Sequence, residues 1–230
     1  MNMAKEETAG AIITSAGTSQ RMGEIDKTFA ILCGKPVLAW SVETLQKSTS
    51  IDRIVIVLHR ENVKKGKQLV FERGWTKVAD VCPGGRLRQD SVAIGLGQLS
   101  RCRWVAIHDG ARPLVTENLI KQGLEAAQET GAAIAAVPVT DTIKMAGDDL
   151  IVRETPPRDK LWAVQTPQIF RFNLITEAHH QIKTVVTDDA SMVEQLGHKV
   201  KLYMGSYDNV KITTPDDLAL AEMLCQGHNR

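Results

Sequence analysis

Short apolar runs alternate along the chain with helical patterns, and this alternation limits the fold more than any other feature. GAIITS at 10–15, RIVIVLH at 53–59 and RWVAIHD at 103–109 are the clearest runs. Strands of this kind are apolar throughout when helices cover both faces of a parallel sheet. Weaker runs lie at 77–82, 132–139 and 199–205. The sequence therefore predicts an α/β protein with a mostly parallel sheet.

Three segments between these runs carry the signals of helix ends. Pro36, at a first helical position, opens VLAWSVETLQKS, and Thr116 lies just before LIKQGLEAAQET, which stops at Gly131. Thr214 as the cap and Pro215 at the first position open TPDDLALAEMLCQ. Hydroxyl caps, N-terminal prolines and a terminal glycine are typical of such positions, so we expect helices here.

Length and charge bound the organisation of the chain and its partners. A chain of 230 residues predicts a single domain over 1–230. The formal net charge of +1 gives no basic bias that would favour nucleic acid. The longest apolar run, AAIAAVPV at 132–139, is far shorter than a membrane span, so we expect no membrane partner.

The N-terminus and the cysteines indicate the compartment. The first ten residues, MNMAKEETAG, lack the apolar core of a signal peptide. The cysteines are scattered without a C-x-x-C pair, which argues against a disulfide framework or a zinc site. We therefore expect reduced thiols and a cytoplasmic protein.

The segment DTIKMAGDDLIVRETPP at 141–157 breaks the alternation. It has the pattern of two short strands about a polar turn, and it has too little apolar surface to form a core of its own. An antiparallel hairpin projecting from an α/β body needs something to pack against, and a second copy of the chain is the simplest partner. The segment is predicted to be a β-hairpin arm that forms a homodimer.

The loop after the first strand has the composition of a phosphate-binding loop. Gly17 and Gly23 allow tight turns that expose backbone amides, and Arg21 and Lys27 add positive charge. The loop lacks the G-K-[ST] of a Walker motif and the G-x-G-x-x-G of a dinucleotide loop. A solvated surface loop is the alternative.

The loop PGGRLRQDS repeats this chemistry after a later strand. Gly84 and Gly85 expose backbone, Arg86 and Arg88 add charge, and Ser91 lies at the start of a helix. A helix N-terminus beside glycines binds anions or base edges. A capped loop without a ligand is the alternative.

Two aspartates are candidate Mg²⁺ ligands. Asp109 ends an apolar strand in HDGARP, with Arg112 three residues later, and Asp208 lies beside Lys211 in YDNVK. Either aspartate could instead cap a turn. His108 has no visible serine or cysteine partner, so we interpret it as structural.

Together the loops supply glycines, cations and a strand-end carboxylate, and we find no activated nucleophile. Phosphoryl or nucleotidyl transfer depends mainly on positioning and on neutralising negative charge. The inventory favours that chemistry.

The same motifs resemble the 2-C-methyl-D-erythritol 4-phosphate cytidylyltransferase family over nearly the whole chain. The resemblance is carried, in order, by SAGTSQRM with Lys27, GGRLRQDSV, HDGARP, VPVTDTIK, LWAVQTPQIF, TDDAS and DNVKITTPDDLALAE. It implies a modified Rossmann-like nucleotidyltransferase fold, a dimer made by the arm, and Mg²⁺-dependent transfer of CMP from CTP to a polyol phosphate.

The resemblance also implies roles for individual residues. Those expected to act in catalysis are Arg21, Lys27, Arg158 and Lys211. Those expected to bind CTP are Ser15, Ala16, Gly17, Thr18, Gly84, Gly85, Ser91, Asp109 and Gly110. Those expected to bind the acceptor phosphate are Asp109, Arg112, Thr142, Arg158 and Lys211, with Thr142 and Arg158 reaching the partner protomer's site.

The chain departs from the family pattern at a few positions. Thr14 and Ser15 replace a small apolar or proline-alanine pair, Arg86 stands where an acid is common, and Gly110 replaces an alanine. Three alternatives stay open at this point: a ribitol 5-phosphate cytidylyltransferase, a dinucleotide-binding oxidoreductase and a non-catalytic nucleotide-binding protein.

Overall fold

A seven-stranded sheet forms the centre of the computed structural model, which describes residues 8–17, 26–99 and 102–228. Its strands are β1 (Ala9–Ser15), β4 (Arg53–Leu58), β5 (Val78–Pro83), β6 (Trp104–Asp109), β7 (Ala132–Pro138), β10 (Trp162–Arg171) and β11 (Lys201–Met204). They lie in the order β11-β7-β10-β6-β1-β4-β5. Only β10 pairs antiparallel with its neighbours in this sheet, so the expectation of a mostly parallel sheet is confirmed.

Helices pack on both faces of the sheet, as the apolar strands predict. The helices are α1 (Val37–Lys47), α2 (Val63–Arg73), α3 (Arg88–Gln98), α4 (Glu117–Thr130), α5 (Phe172–Gln181), α6 (Asp189–Gln195) and α7 (Pro215–His228). One apolar cluster joins the sheet to α1, α2 and α4, and a second joins it to α3, α5 and α6. The final helix, α7, packs instead on the small ribbon of β2 (Ile31–Leu32) and β3 (Lys35–Pro36).

Most predicted element boundaries agree with the structure, but Pro36 does not lie at the first helical position. It is extended, with φ −57° and ψ 143°, and its backbone pairs with Ile31 across the ribbon. The helix therefore begins one residue later, at Val37. Thr116 caps α4 by accepting a hydrogen bond from the backbone N–H of Leu119, as expected.

The predicted arm contains a short antiparallel hairpin. Its strands are β8 (Met145–Ala146) and β9 (Val152–Glu154). At its base, Arg158 donates a hydrogen bond of 2.8 Å to the carbonyl oxygen of Thr140. Apolar side chains on the arm are exposed, and Leu150 is 85% exposed. The arm leaves apolar surface open to solvent, and its role in a dimer stays a prediction.

The sheet topology brings the predicted site loops to one edge. Thr14 on β1 lies opposite Asp109 on β6 in the parallel register. The N–H of Gly84 donates to the carbonyl oxygen of Leu58, which ties the loop after β5 to the end of β4. Carboxyl ends of neighbouring parallel strands therefore meet at the position where ligands bind in such sheets.

No helix among the described residues is long and apolar enough to cross a membrane.

We predict that Gly95→Ala destabilises the fold whereas Gly97→Ala on the same helix does not. A Cβ at Gly95 would lie 2.7 Å from Cγ2 of Ile12, a β-branched side chain that cannot easily move, while one at Gly97 meets nothing within 4 Å in the part of the chain described. Overpacking costs about 1–3 kcal/mol of unfolding free energy. Helix propensity favours Gly97→Ala by up to about 1 kcal/mol. Chemical denaturation measures both, and equal effects would contradict the packing argument.

Candidate active site

Two adjoining cavities open at this edge of the sheet and share one wall. Six of the predicted binding or catalytic residues line the first cavity and not the second, namely Ser15, Ala16, Gly17, Lys27, Gly85 and Ser91. Asp109 and Lys211 line both cavities, and Arg112 lines the second. The second cavity has a volume of about 430 Å³, which is enough for a small ligand. The structure thus gathers loops that are far apart in sequence.

The carboxylate of Asp109 lies at the centre of the shared wall. Lys211 Nζ is 2.6 Å from Oδ2, and Arg88 Nε donates to Oδ1 at 3.2 Å. Burial alone raises the pKa of this carboxyl, but the attraction of Arg88 and Lys211 outweighs burial and holds the pKa below its ordinary value. Asp109 is therefore ionised at neutral pH, with a cation on each of its two oxygens.

Arg112 brings an incompletely paired guanidinium to the second cavity. Its Nη1 donates to the carbonyl oxygen of Asn209 at 2.6 Å. Its Nε is buried and has no hydrogen-bond partner among the described residues. A buried donor without a partner is costly, and a guanidinium that lines a cavity attracts anionic groups. Arg112 is thus suited to bind a phosphate or carboxylate.

A hydrogen-bond chain through His108 fixes the backbone beside Asp109. His108 Nε2 lies 3.0 Å from the carbonyl oxygen of Arg112, which can only accept, so Nε2 carries the proton. Nδ1 then accepts from the Thr166 hydroxyl at 3.0 Å, and the Thr166 oxygen accepts the N–H of Asp109 at 3.0 Å. Burial lowers the pKa of His108 to about 4, so the ring is neutral at pH 7. The geometry agrees with the structural interpretation of His108.

The loop before α3 is held by its own side chains. Ser91 Oγ donates to the carbonyl oxygen of Leu87 and accepts the N–H of Gly85, both at 3.2 Å. Asp90 accepts the N–H of Leu87 at 2.9 Å. A Cβ on Gly84 would lie 2.3 Å from Cβ of Ala16, so the two loops touch only because Gly84 has no side chain. Ser91 therefore shapes the first cavity as well as lining it.

Ser15 and Gly110 fill the same small space at the ends of β1 and β6. A Cβ on Gly110 would lie 2.2 Å from Oγ of Ser15 and 3.0 Å from Cγ2 of Ile13. The serine hydroxyl thus occupies the volume that an alanine methyl at position 110 would need. Two departures from the family pattern that look independent in the sequence are one packing arrangement.

Several predicted residues lie outside these cavities or outside the described residues. Thr142 and Arg158 are exposed on and beside the arm, and neither lines either cavity. Gly84, Gly110 and Asp208 also line neither cavity. Thr18 and Arg21 lie outside the described residues.

Comparison with known proteins decides the family. The sequence profile described as "IspD: 2-C-methyl-D-erythritol 4-phosphate cytidylyltransferase" matches residues 9–226. The chain belongs to this family. Relatives of the same description come from Dehalococcoides mccartyi, with 51% identity over 95% of this chain and 96% of the relative, and from Alkaliphilus oremlandii, with 46% identity over 92% of each.

Solved structures of cytidylyltransferase family members have the same fold. The 4-diphosphocytidyl-2C-methyl-D-erythritol synthase of Anaerococcus prevotii matches with a TM-score of 0.85 and 31% identity, covering 96% of this chain and 99% of that chain. The 2-C-methyl-D-erythritol 4-phosphate cytidylyltransferase of Thermus thermophilus matches with a TM-score of 0.77 and 32% identity, covering 94% and 98%. The predicted Rossmann-like nucleotidyltransferase fold is confirmed.

The cytidylyltransferase cleft also contains polar residues whose roles the sequence did not reveal. Arg88 lines both cavities, and Thr166 supports Asp109 from β10. Thr166 belongs to QTPQ, a polar run inside an otherwise apolar strand, and such an interruption is the signal that could have marked it. Arg88 carries no such signal, because Arg86 in the same loop looks equivalent in sequence.

The predicted Mg²⁺ ligands do not form a carboxylate site. Both oxygens of Asp109 face cations, and Asp208 lies outside both cavities. Within residues 8–17, 26–99 and 102–228, no group of three or more His, Cys, Asp or Glu side chains is placed to hold a metal. A Mg²⁺ ion bound by these two carboxylates together does not fit this arrangement.

We predict that Gly110→Ala alone destabilises this family member and that Ser15→Ala added to it restores part of the lost stability. The alanine methyl forces Ser15 out of its rotamer, which costs about 1 kcal/mol of unfolding free energy. The double variant removes the clashing hydroxyl, so the two effects are not additive. Thermal denaturation of the two single variants and the double variant measures the coupling. Additive effects would show that the two positions do not share this space.

Proposed function

We propose that the chain transfers CMP from CTP to 2-C-methyl-D-erythritol 4-phosphate and releases pyrophosphate. The observation that carries the proposal is the shared wall, where Asp109 and Lys211 border two cavities and the cationic side chain of Arg112 lines the second. Because the two cavities adjoin at this wall, two anionic substrates bound in them would lie next to each other and could react. Family membership and the names of the relatives support this chemistry.

CTP is proposed to occupy the first cavity. Backbone amides around Ala16, Gly17 and Gly85 border it, and such amides bind phosphate oxygens or base edges without a full positive charge. Lys27 also lines this cavity and supplies a cation. In the proposed reaction, Lys27 and Arg21 stabilise the negative charge that builds up at the α-phosphorus.

The polyol phosphate is proposed to occupy the second cavity. Its phosphate is itself the nucleophile, so no protein nucleophile is required and no covalent enzyme intermediate forms. Lys211 and Arg112 would hold the anionic end, and Asp109 would accept hydrogen bonds from hydroxyl groups. These side chains orient the phosphate toward the first cavity, and orientation is the main requirement of this transfer.

Mg²⁺ is proposed to accompany CTP. Mg²⁺ in nucleotide-transfer enzymes commonly binds one or two carboxylates together with substrate phosphates and water. When bound, it would neutralise charge on the triphosphate. The cations around Asp109 fit a site in which the metal is held mainly by the nucleotide.

A homodimer is proposed in which the arm of one protomer completes the second cavity of its partner. The arm exposes apolar side chains such as Leu150 and Ile151, which are 85% and 56% exposed. Arg158 and Thr142 carry groups suited to a polyol phosphate, yet neither lines the first or the second cavity of its own chain. An arm that crosses to a second copy explains both observations.

We further propose a cytoplasmic location. The four cysteines are all free thiols: Cys33, Cys82, Cys102 and Cys225. Free thiols are the usual state in a reducing compartment.

Pyrophosphate release tests the proposed activity directly. The reaction contains Mg²⁺, CTP and 2-C-methyl-D-erythritol 4-phosphate, with ribitol 5-phosphate as the competing acceptor and ATP, UTP and GTP as competing donors. We expect release only with CTP and the methylerythritol acceptor, and loss of release when a chelator removes the metal. No release with any pair would contradict the proposal, and faster release with ribitol 5-phosphate would reassign the acceptor.

We predict that Lys27→Ala lowers kcat by two or more orders of magnitude while CTP binding changes little. A cation that acts mainly on the transition state is expected to affect turnover by about this much. Lys64→Ala on α2 is the control, because Lys64 is an exposed lysine away from both cavities. Steady-state rates and equilibrium dialysis with CTP measure the two quantities. Equal loss of binding and turnover would assign Lys27 to ground-state binding instead.

We predict that a mixture of inactive Arg158→Ala and Lys27→Ala chains regains activity. If Arg158 acts in the partner's site, each heterodimer contains one site with both residues intact. Random exchange of an equal mixture then gives about one quarter of wild-type activity, since half of the dimers are mixed and half of their sites are complete. If Arg158 acts within its own chain, no site is complete and the mixture stays inactive.

A further inference from the structure

Arg88 joins two buried carboxylates that come from distant parts of the chain. Its Nε donates to Oδ1 of Asp109 at 3.2 Å, and its Nη1 donates to Oδ2 of Asp189 at 2.5 Å. The side chains of Asp109 and Asp189 are only 9% and 1% exposed. One planar guanidinium therefore bridges one oxygen of each carboxylate, an arrangement that a lysine ammonium reproduces poorly.

Asp189 is a fixed anchor because the start of α6 is tied to the sheet. Asp188 caps the helix by accepting the N–H of Ser191 at 3.1 Å. Gln168 on β10 donates to Oδ2 of Asp188 at 2.8 Å and accepts the N–H of Ala190 at 3.3 Å. Since β10 is an interior strand of the sheet, the backbone that carries Asp189 is held to the centre of the fold.

His179 on α5 lies behind Asp189. Its Nε2 lies 3.4 Å from Oδ1 of Asp189, and its side chain is 6% exposed. Burial alone lowers the pKa of Arg88, but the attraction of Asp189 and Asp109 raises it above the ordinary value, so Arg88 is charged at any working pH. Arg88 is thus both fixed in place and permanently cationic.

The two cationic side chains that contact Asp109 differ in how freely they can move. The side chain of Lys211 is 40% exposed and has a long flexible stem, whereas Arg88 is held from behind by Asp189. When an anionic ligand attracts Lys211, Asp109 loses a partner on Oδ2 but keeps Arg88 on Oδ1. The carboxylate then keeps its orientation toward the shared wall of the two cavities.

We propose that Arg88 is a positioning residue that fixes the Asp109 carboxylate for substrate binding, and that Asp189 holds Arg88 in place for this purpose. The inference rests on the proposed function, since the effect of Arg88 is measured as a change in the rate of the proposed cytidylyl transfer. It assigns to Arg88 an effect on catalysis that passes through Asp109 and not through direct contact with the reacting atoms.

A double-mutant cycle between Arg88 and Asp109 tests the proposal. We expect Arg88→Lys to lower kcat/KM for the polyol phosphate by about tenfold, mainly through KM, and Arg88→Met to lower it by about a hundredfold, since misplacement of this kind carries such costs. Asp189→Asn, which keeps the shape but loses the charge, is expected to resemble Arg88→Lys. In an Asp109→Asn background, Arg88→Lys is expected to have no further effect.

Controls separate this role from a general effect on folding. Arg73 on α2 pairs with Glu43 on α1, and it lines neither cavity. Arg73→Lys is therefore expected to keep full activity. Melting temperatures identify variants that are partly unfolded, and Arg88→Lys keeps the charge if Arg88→Met does not fold. The wild-type rate is measured in parallel. An inactive wild-type protein would contradict the proposed function, whereas the role of Arg88 is judged only from the variants relative to an active wild type.

Two results would overturn the proposal. Additive losses in the Asp109→Asn background would show that Arg88 acts by another route. Wild-type kcat and KM in folded Arg88→Lys and Arg88→Met would show that Asp109 needs no such support. A crystal structure of Arg88→Lys provides a readout without turnover, because the proposal expects the Asp109 carboxylate to rotate away from the shared wall.

Discussion

The buried carboxylate of Asp109 is the constraint on which the whole cleft depends. A charge with so little access to water is tolerated only when cations and hydrogen-bond donors surround it. These come from separate parts of the chain: Arg88 on α3, Lys211 after β11, and the Thr14 hydroxyl on β1 at 3.5 Å. Thr166 on β10 accepts its N–H. Correct folding of the sheet edge and assembly of the site are therefore the same process.

The strand pattern alone predicted most of the fold, because strands covered by helices on both faces are apolar along their whole length. It missed β10, whose centre contains polar residues. Those residues are buried and bonded: Gln165 reaches Ser206, Thr166 reaches His108, and Gln168 reaches Asp188. A strand that carries polar groups into the interior loses the apolar pattern by which strands are recognised. The position of β10 could therefore be established only from the structure.

The sequence could predict which residues of the site lie close together, because strand topology determines this. Parallel strands end at one edge, so Gly17, Ser91, Asp109 and Lys211 could be grouped from sequence, and all four line the first cavity. Side-chain direction is not determined by sequence order. Arg86 and Arg88 share a loop, yet Arg86 is exposed and Arg88 is inserted between two carboxylates. That choice depends on Asp189, about a hundred residues away along the chain.

The shared volume of Ser15 and Gly110 has a consequence for which pairs of residues these two positions accept. A lineage that starts from alanine at position 110 meets a steric conflict if serine enters position 15 first. If glycine replaces the alanine first, only a small gap forms, and the later serine fills it. The geometry therefore couples the residues that these two positions can hold together, and serine at position 15 favours glycine at position 110.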